Sequence, residues 1–155
     1  MWTKVRCSAR RFIFISVSLL GFALSASAQE RHAGVRAGIS ADPEQVYFGF
    51  HADLAEVAPR FWFRPNAEFG FGDRRTVVSL NGEFVYLIPV RSSEWTPYFG
   101  GGPALVVQNF RGGNTDVGPG FNFVAGIQQR RGLLAEVKIG AIDSPGFKLG
   151  IGWTW

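Results

Sequence analysis

From residue 31 onward the chain alternates apolar residues with polar or small ones, and it does so in eight successive segments. They read RHAGVRAGIS, QVYFGFHADLAEV, RFWFRPNAEFGFG, RTVVSLNGEFVYLIPV, WTPYFGGGPALVVQNF, VGPGFNFVAGIQQR, GLLAEVKIGAI and GFKLGIGWTW. A period of two is the signature of a strand with unlike faces. The connections ADPE, AP, DR, RSSE, RGGNTD, RRG and DSP are all hairpin-sized. Neighbouring strands are therefore expected to pair antiparallel in an up-and-down meander. No helical periodicity of useful length competes with this reading.

The two faces differ in kind. In the third segment Phe61, Phe63, Pro65, Ala67, Phe69 and Phe71 share one face, and Arg60, Trp62, Arg64, Asn66, Glu68 and Gly70 share the other. In the eighth, Phe147, Leu149, Ile151, Trp153 and Trp155 oppose Lys148, Gly150, Gly152 and Thr154. The polar face has many glycines and few lysines. That mixture suits a narrow lumen filled by side chains better than a wet exterior. The apolar face carries large aromatics near segment ends, such as Phe48, Phe61, Phe71, Tyr86, Phe99, Phe121, Phe147 and Trp153, as expected of interfacial girdles. The segments also match the roughly 9–11 residues a membrane-spanning strand needs. The expected fold is all-β: a single closed eight-stranded antiparallel up-and-down transmembrane β-barrel, apolar side out. With its faces reversed the same pattern would make a soluble periplasmic barrel around an apolar ligand. Closure also explains why the chain ends inside an aromatic strand: GFKLGIGWTW must pair with the first strand, since no backbone group can stay unpaired in lipid.

The first 28 residues stand apart. A basic start, MWTKVRCSARR, precedes an apolar run of about fifteen residues and the small residues ASA. This is expected to be a cleavable signal peptide (1–28) ahead of the barrel domain (29–155). The apolar run is too short for a membrane anchor. Removing the signal takes four of the sixteen basic residues and leaves twelve against twelve acidic ones. The basic charge then offers no argument for nucleic acid. It also removes Cys7, the one cysteine, so no disulfide is expected.

With these features the sequence resembles the small eight-stranded outer-membrane barrels of the OmpA/OmpX type, through RPNAEFGFG, TPYFGGGPAL, LAEVKIG and the aromatic terminal strand. The resemblance covers the whole mature chain. It implies a porin-like β-barrel of the Gram-negative cell envelope, located in the outer membrane and surrounded by its lipid. It also implies that the terminal strand, with Trp153 and Trp155, is the signal read by the barrel-assembly machinery; Trp155 stands where the family more often has Phe. The short external connections argue against an adhesin- or receptor-like role.

Candidate chemistry lies on the inward face. Folding about the short turns sets His32 opposite Asp53, Asp53 opposite Arg64, and Arg64 opposite Glu83, a layer of alternating charge. Gly102 on the fifth strand would leave room beside it. Glu136, Lys138 and Lys148 form a second cluster on the last two strands. Buried charges are tolerable when paired, so the layer reads as a polar plug, with a pore gated by Arg64 and Glu83 as the functional alternative. His51, Asp53 and Ser79 are the only approach to a catalytic triad, and a crowded lumen suits it poorly. A lipid A-modifying acyl hydrolase is thus a minor alternative to a structural, passive role. Arg74, Arg75, Arg130 and Arg131 at turns could meet lipid phosphates. FGGGPA sits inside a strand pattern, where glycine marks bending or close packing rather than a phosphate loop. No metal or cofactor is implied, no nucleic acid is expected, and the protein is expected to be a monomer.

Overall fold

The computed structural model describes residues 32–91 and 93–155. The expected signal segment lies outside them. Nine strands form one sheet: β1 (His32–Ala41), β2 (Glu44–Asp53), β3 (Ala55–Ala58), β4 (Phe61–Phe71), β5 (Arg75–Leu87), β6 (Trp95–Phe110), β7 (Thr115–Gln129), β8 (Leu133–Ile142) and β9 (Phe147–Thr154). All pairings are antiparallel and, apart from that of β2 with β4, join chain neighbours, and β1 pairs with β9 to close the ring. β2 and β3 are two pieces of one stave. Both pair with β4, and the break falls at Leu54, whose N–H donates to the Phe63 carbonyl at 3.0 Å. The barrel therefore has eight staves. The seam runs from Gly34↔Thr154 to Ser40↔Lys148, and the Trp155 N–H donates to the Ala33 carbonyl at 2.9 Å. The terminal strand thus closes on the first.

Strand pleating sends alternate side chains to opposite faces, and exposure settles which face is inside. Phe123 is 56% and Ile151 66% exposed, whereas Arg64 and Lys138 are 1% and Glu83 is 0% exposed. The wall is apolar outside and ionic inside. The reversed barrel around an apolar ligand does not occur, because the lumen is occupied by charged side chains.

Two apolar clusters interrupt the inward face. Val77, Ala104 and Val106 form one. Val85, Tyr98 and Val124 form the other, with Trp62 and Leu87 packed against it. Along β5 the polar row Ser79, Asn81 and Glu83 lies between Val77 and Val85. Both clusters lie on the β4–β7 side of the wall, one at each end of that polar row.

The two mouths differ. At the one opposite His32 and Trp155 the β8–β9 turn folds inward, with Ser144 and Pro145 buried, beside a cavity of about 650 Å³ lined by Asp42, Glu44, Asp73 and Arg75. Ile142 has φ 64°, a left-handed conformation rare for a β-branched residue, and directs the chain inward there. Gln108 Nε2 donates to the Asp143 carbonyl at 3.5 Å. At the terminal end a vestibule of about 440 Å³ is lined by His32, Asp53, Trp62, Arg64 and the Arg130–Arg131 turn.

Candidate functional site: the ionic lumen

Inward parity places Arg36 on β1, Glu68 on β4, Glu83 on β5, Glu136 and Lys138 on β8, and Lys148 on β9. Lys138 is the hub. Its Nζ donates to Glu68 Oε1 and Glu83 Oε1, each at 2.6 Å, and lies 3.9 Å from Glu136 Oε1. Lys148 Nζ donates to the second oxygen of Glu68 at 2.6 Å and sits 5.4 Å from the Tyr47 ring centre. Arg36 Nη1 donates to Glu136 Oε1 at 2.6 Å, and the Tyr98 hydroxyl donates to Glu136 Oε2 at 2.9 Å. An amide ladder adjoins the hub: Asn122 donates to Asn81 at 2.7 Å, and Asn81 to Asn66 at 2.6 Å.

A second unit sits at the terminal mouth. Arg64 Nε and Nη2 donate to the two oxygens of Asp53, and Nη2 also reaches Gln128 Oε1 at 3.0 Å. The guanidinium lies 5.0 Å from the centre of the Tyr98 ring, so Tyr98 connects both units. Four cations (Arg36, Arg64, Lys138, Lys148) face four carboxylates (Asp53, Glu68, Glu83, Glu136), all buried. The balance matters, because a buried charge without a partner is far more costly than a paired one.

The register follows the pattern expected from the turns, since His32↔Asp53 and Arg64↔Glu83 are paired positions. The side chains nevertheless sort differently. Arg64 joins Asp53, while Glu83 crosses the lumen to Lys138. The Arg64–Glu83 gate pair is therefore not formed. The strands of a closed barrel tilt by about 35–45°, so paired residues climb around the wall while long side chains meet across the axis. His32 lies exposed at the rim of the vestibule, opposite Asp53 in the β1–β2 register. Glu136, Lys138 and Lys148 belong to the same network as Glu83, because Glu68 bridges the two lysines. Gly102 does not provide room. A Cβ there would strike the Gly82 carbonyl oxygen, so the position is a close backbone approach.

Arg36, Glu68, Tyr98, Gln128 and the asparagine ladder were not singled out from the sequence. Parity alone marked them, as every one shares the inward face of its strand. The three residues of the weak triad do not converge. His51 Nε2 lies 2.9 Å from Thr154 Oγ1, and its Nδ1 accepts from Arg36 Nε at 3.4 Å. Asp53 is engaged by Arg64, and Ser79 Oγ is buried with no hydrogen-bond partner. Arg75 is held by Gln108 at 2.6 Å and lies 3.7 Å from Asp42. Among the described residues no group of His, Cys, Asp and Glu side chains is disposed to hold a metal ion.

Breaking the vestibule pair should be costly. Asp53→Ala leaves a buried guanidinium without its carboxylate and is expected to lower unfolding free energy by about 3 kcal/mol. Urea titration in detergent micelles, set against Asp53→Ala/Arg64→Met, measures it. The double variant should regain most of the loss.

The sequence matches no family model and no curated protein. Solved structures do share the architecture. Neisserial surface protein A aligns with TM-score 0.64 at 13% identity, over 80% of this chain and 94% of that one. The N-terminal β-barrel domain of Pseudomonas aeruginosa OprF gives 0.56 at 11% identity, over 81% and 96%. The outer membrane enzyme PagL gives 0.52 at 10% identity, over 79% and 97%. At such identities the likeness is one of fold, and the chain has the closed eight-stranded barrel fold of these outer-membrane proteins.

Proposed function

We propose that this protein is an integral outer-membrane barrel with a passive, structural role and a lumen sealed by its own side chains. One observation carries the reading: the wall is apolar outside and charge-balanced inside, the reverse of a water-soluble barrel. Hydrocarbon suits such an exterior, and a closed ring leaves no backbone group unpaired in lipid. The fold shared with outer-membrane proteins supports the location. Eight staves leave an interior just wide enough for side chains, and here eight buried, mutually paired charged side chains occupy it. Trp153 and Trp155 on the closing strand are the residues offered to the assembly machinery.

The reading is tested by refolding into phosphatidylcholine vesicles. Heat-modifiable migration on a detergent gel, with the protein retained in the vesicle fraction, is expected. Recovery as a soluble periplasmic protein would overturn it. In planar bilayers the protein should give no unitary current, and discrete channel openings would replace the passive role with a conducting one. PagL is an enzyme on this fold, so catalysis has its own test. Expression of the intact protein should leave lipid A acylation unchanged. A changed acyl pattern that His51→Ala abolishes would establish the enzymatic reading instead.

A further inference from the structure

The charged residues of the described barrel fall into three zones. The lumen is neutral, with four of each sign. The mouth opposite the chain termini carries Asp42, Glu44, Asp73, Asp116 and Asp143 against Arg74, Arg75 and Arg111. The terminal mouth carries Arg60, Arg91, Arg130 and Arg131 against Glu56 and Glu94. One rim is therefore net acidic and the other net basic by two charges each.

Tryptophan follows the same division. Trp95 and Trp153 lie on the outward parity of β6 and β9 at the basic end, and Trp155 follows β9 there beside the vestibule, while Trp62, the fourth described tryptophan, points inward. The outward aromatics near the acidic rim are phenylalanines such as Phe48, Phe71 and Phe147. Indole rings prefer the headgroup level, where their ring is apolar and their N–H finds a polar partner.

The basic turns form a continuous, hydrogen-bonded rim. The Leu87 N–H donates to the Arg60 carbonyl at 2.9 Å, the Arg130 N–H to the Glu94 carbonyl at 2.9 Å, and the Thr154 N–H to the Gly132 carbonyl at 2.8 Å. These bonds tie the arginine-bearing turns to each other and to the strand that bears Trp153. The four arginines on these turns are exposed, with Arg130 and Arg131 at the vestibule rim, and guanidinium groups match phosphate oxygens in charge and in fork geometry.

We infer that this rim, Arg60, Arg91, Arg130 and Arg131 above the belt of Trp95, Trp153 and Trp155, binds the headgroups of anionic glycerophospholipids in the leaflet at the mouth that carries Trp155. The inference rests on the membrane reading above. It assigns the two barrel ends to different lipid chemistries: phosphate recognition at the basic rim, and none at the acidic one. Attraction of this kind between basic residues and an anionic bilayer surface is short-ranged and weakened by salt.

Tryptophan quenching tests it. The mature protein is refolded into equimolar vesicles in which either phosphatidylglycerol or phosphatidylcholine carries the brominated chains. Brominated phosphatidylglycerol should quench as though it were enriched about threefold around the protein. The enrichment should vanish at high salt and in Arg91→Gln/Arg130→Gln/Arg131→Gln, and should persist in Arg74→Gln/Arg111→Gln at the other mouth. Equal quenching by both lipids in an inserted, heat-modifiable barrel overturns the surface alone. An equal loss in the Arg74/Arg111 variant also overturns it. If neither lipid quenches, the protein has not entered the bilayer, and the membrane reading fails together with this surface.

Discussion

Replacing Lys138 with methionine is expected to remove about 3–5 kcal/mol of the barrel's unfolding free energy. Methionine preserves most of the lysine stem's volume, so packing changes little. What disappears is the cation shared by Glu68 and Glu83, each 2.6 Å from its nitrogen. The three nearby carboxylates are not left equal. Glu68 keeps Lys148 and Glu136 keeps Arg36. Among the described residues Glu83 loses the one cation within salt-bridge distance of it, and its Oε2 already lacks a hydrogen-bond partner. Lys138→Met/Glu83→Gln should therefore recover most of the lost stability, whereas Lys138→Met/Glu136→Gln should recover little. Urea titration in micelles, followed by heat-modifiable migration, reads all three variants, and with Glu83→Gln alone they close the cycle that isolates the Lys138–Glu83 pair energy. An unchanged midpoint in Lys138→Met would mean that water screens the lumen, and the sealed-plug reading would fall.

The lumen's membership was legible in the sequence, but its wiring was not. Period-two alternation determines which side chains point inward, because a one-residue slip would reverse every face. Arg64, Glu83, Glu136, Lys138 and Lys148 were found that way. Which of them meet depends on strand tilt and stagger, which closure sets and no single strand encodes. Glu83 thus looks like the partner of Arg64 in the flat ladder and belongs to Lys138 in the ring. Glu68 and Arg36 were equally visible by parity, but they have no charged neighbour in the local register to draw attention. Val77 and Val106 were hidden for a different reason. They interrupt a face that is polar on average, and only the pairing of β5 with β6 brings them into one cluster. The β2–β3 break at Leu54 leaves no mark in the alternation on either side of it.

Glycine on the inward face separates filling from close approach, and Gly102→Val is the second large effect expected. In sequence, Gly102 beside charged strands reads as space for long side chains. In the barrel its Cβ would meet the Gly82 carbonyl oxygen, with the Gly82 carbonyl carbon 2.8 Å and the Glu83 Cα 2.9 Å away. All three are backbone atoms, so no rotamer change relieves the contact. The β5–β6 ladder is interrupted here, between Asn81↔Ala104 and Phe84↔Gly101, where the strands are pressed together. Glycine in a strand interior commonly marks such a site. Valine must force β5 away from β6 and carry Glu83 away from Lys138 with it. A loss of about 3 kcal/mol or more is expected, at the upper end of overpacking costs. Gly82→Ala is the control, because its nearest neighbours are the Phe63 ring at 3.6 Å and the Pro103 carbonyl at 3.9 Å, ordinary van der Waals contacts. It should refold with an unchanged urea midpoint. If Gly102→Val matched it, the close approach of β5 and β6 would not be a constraint, and the position would be the open space its sequence context suggests.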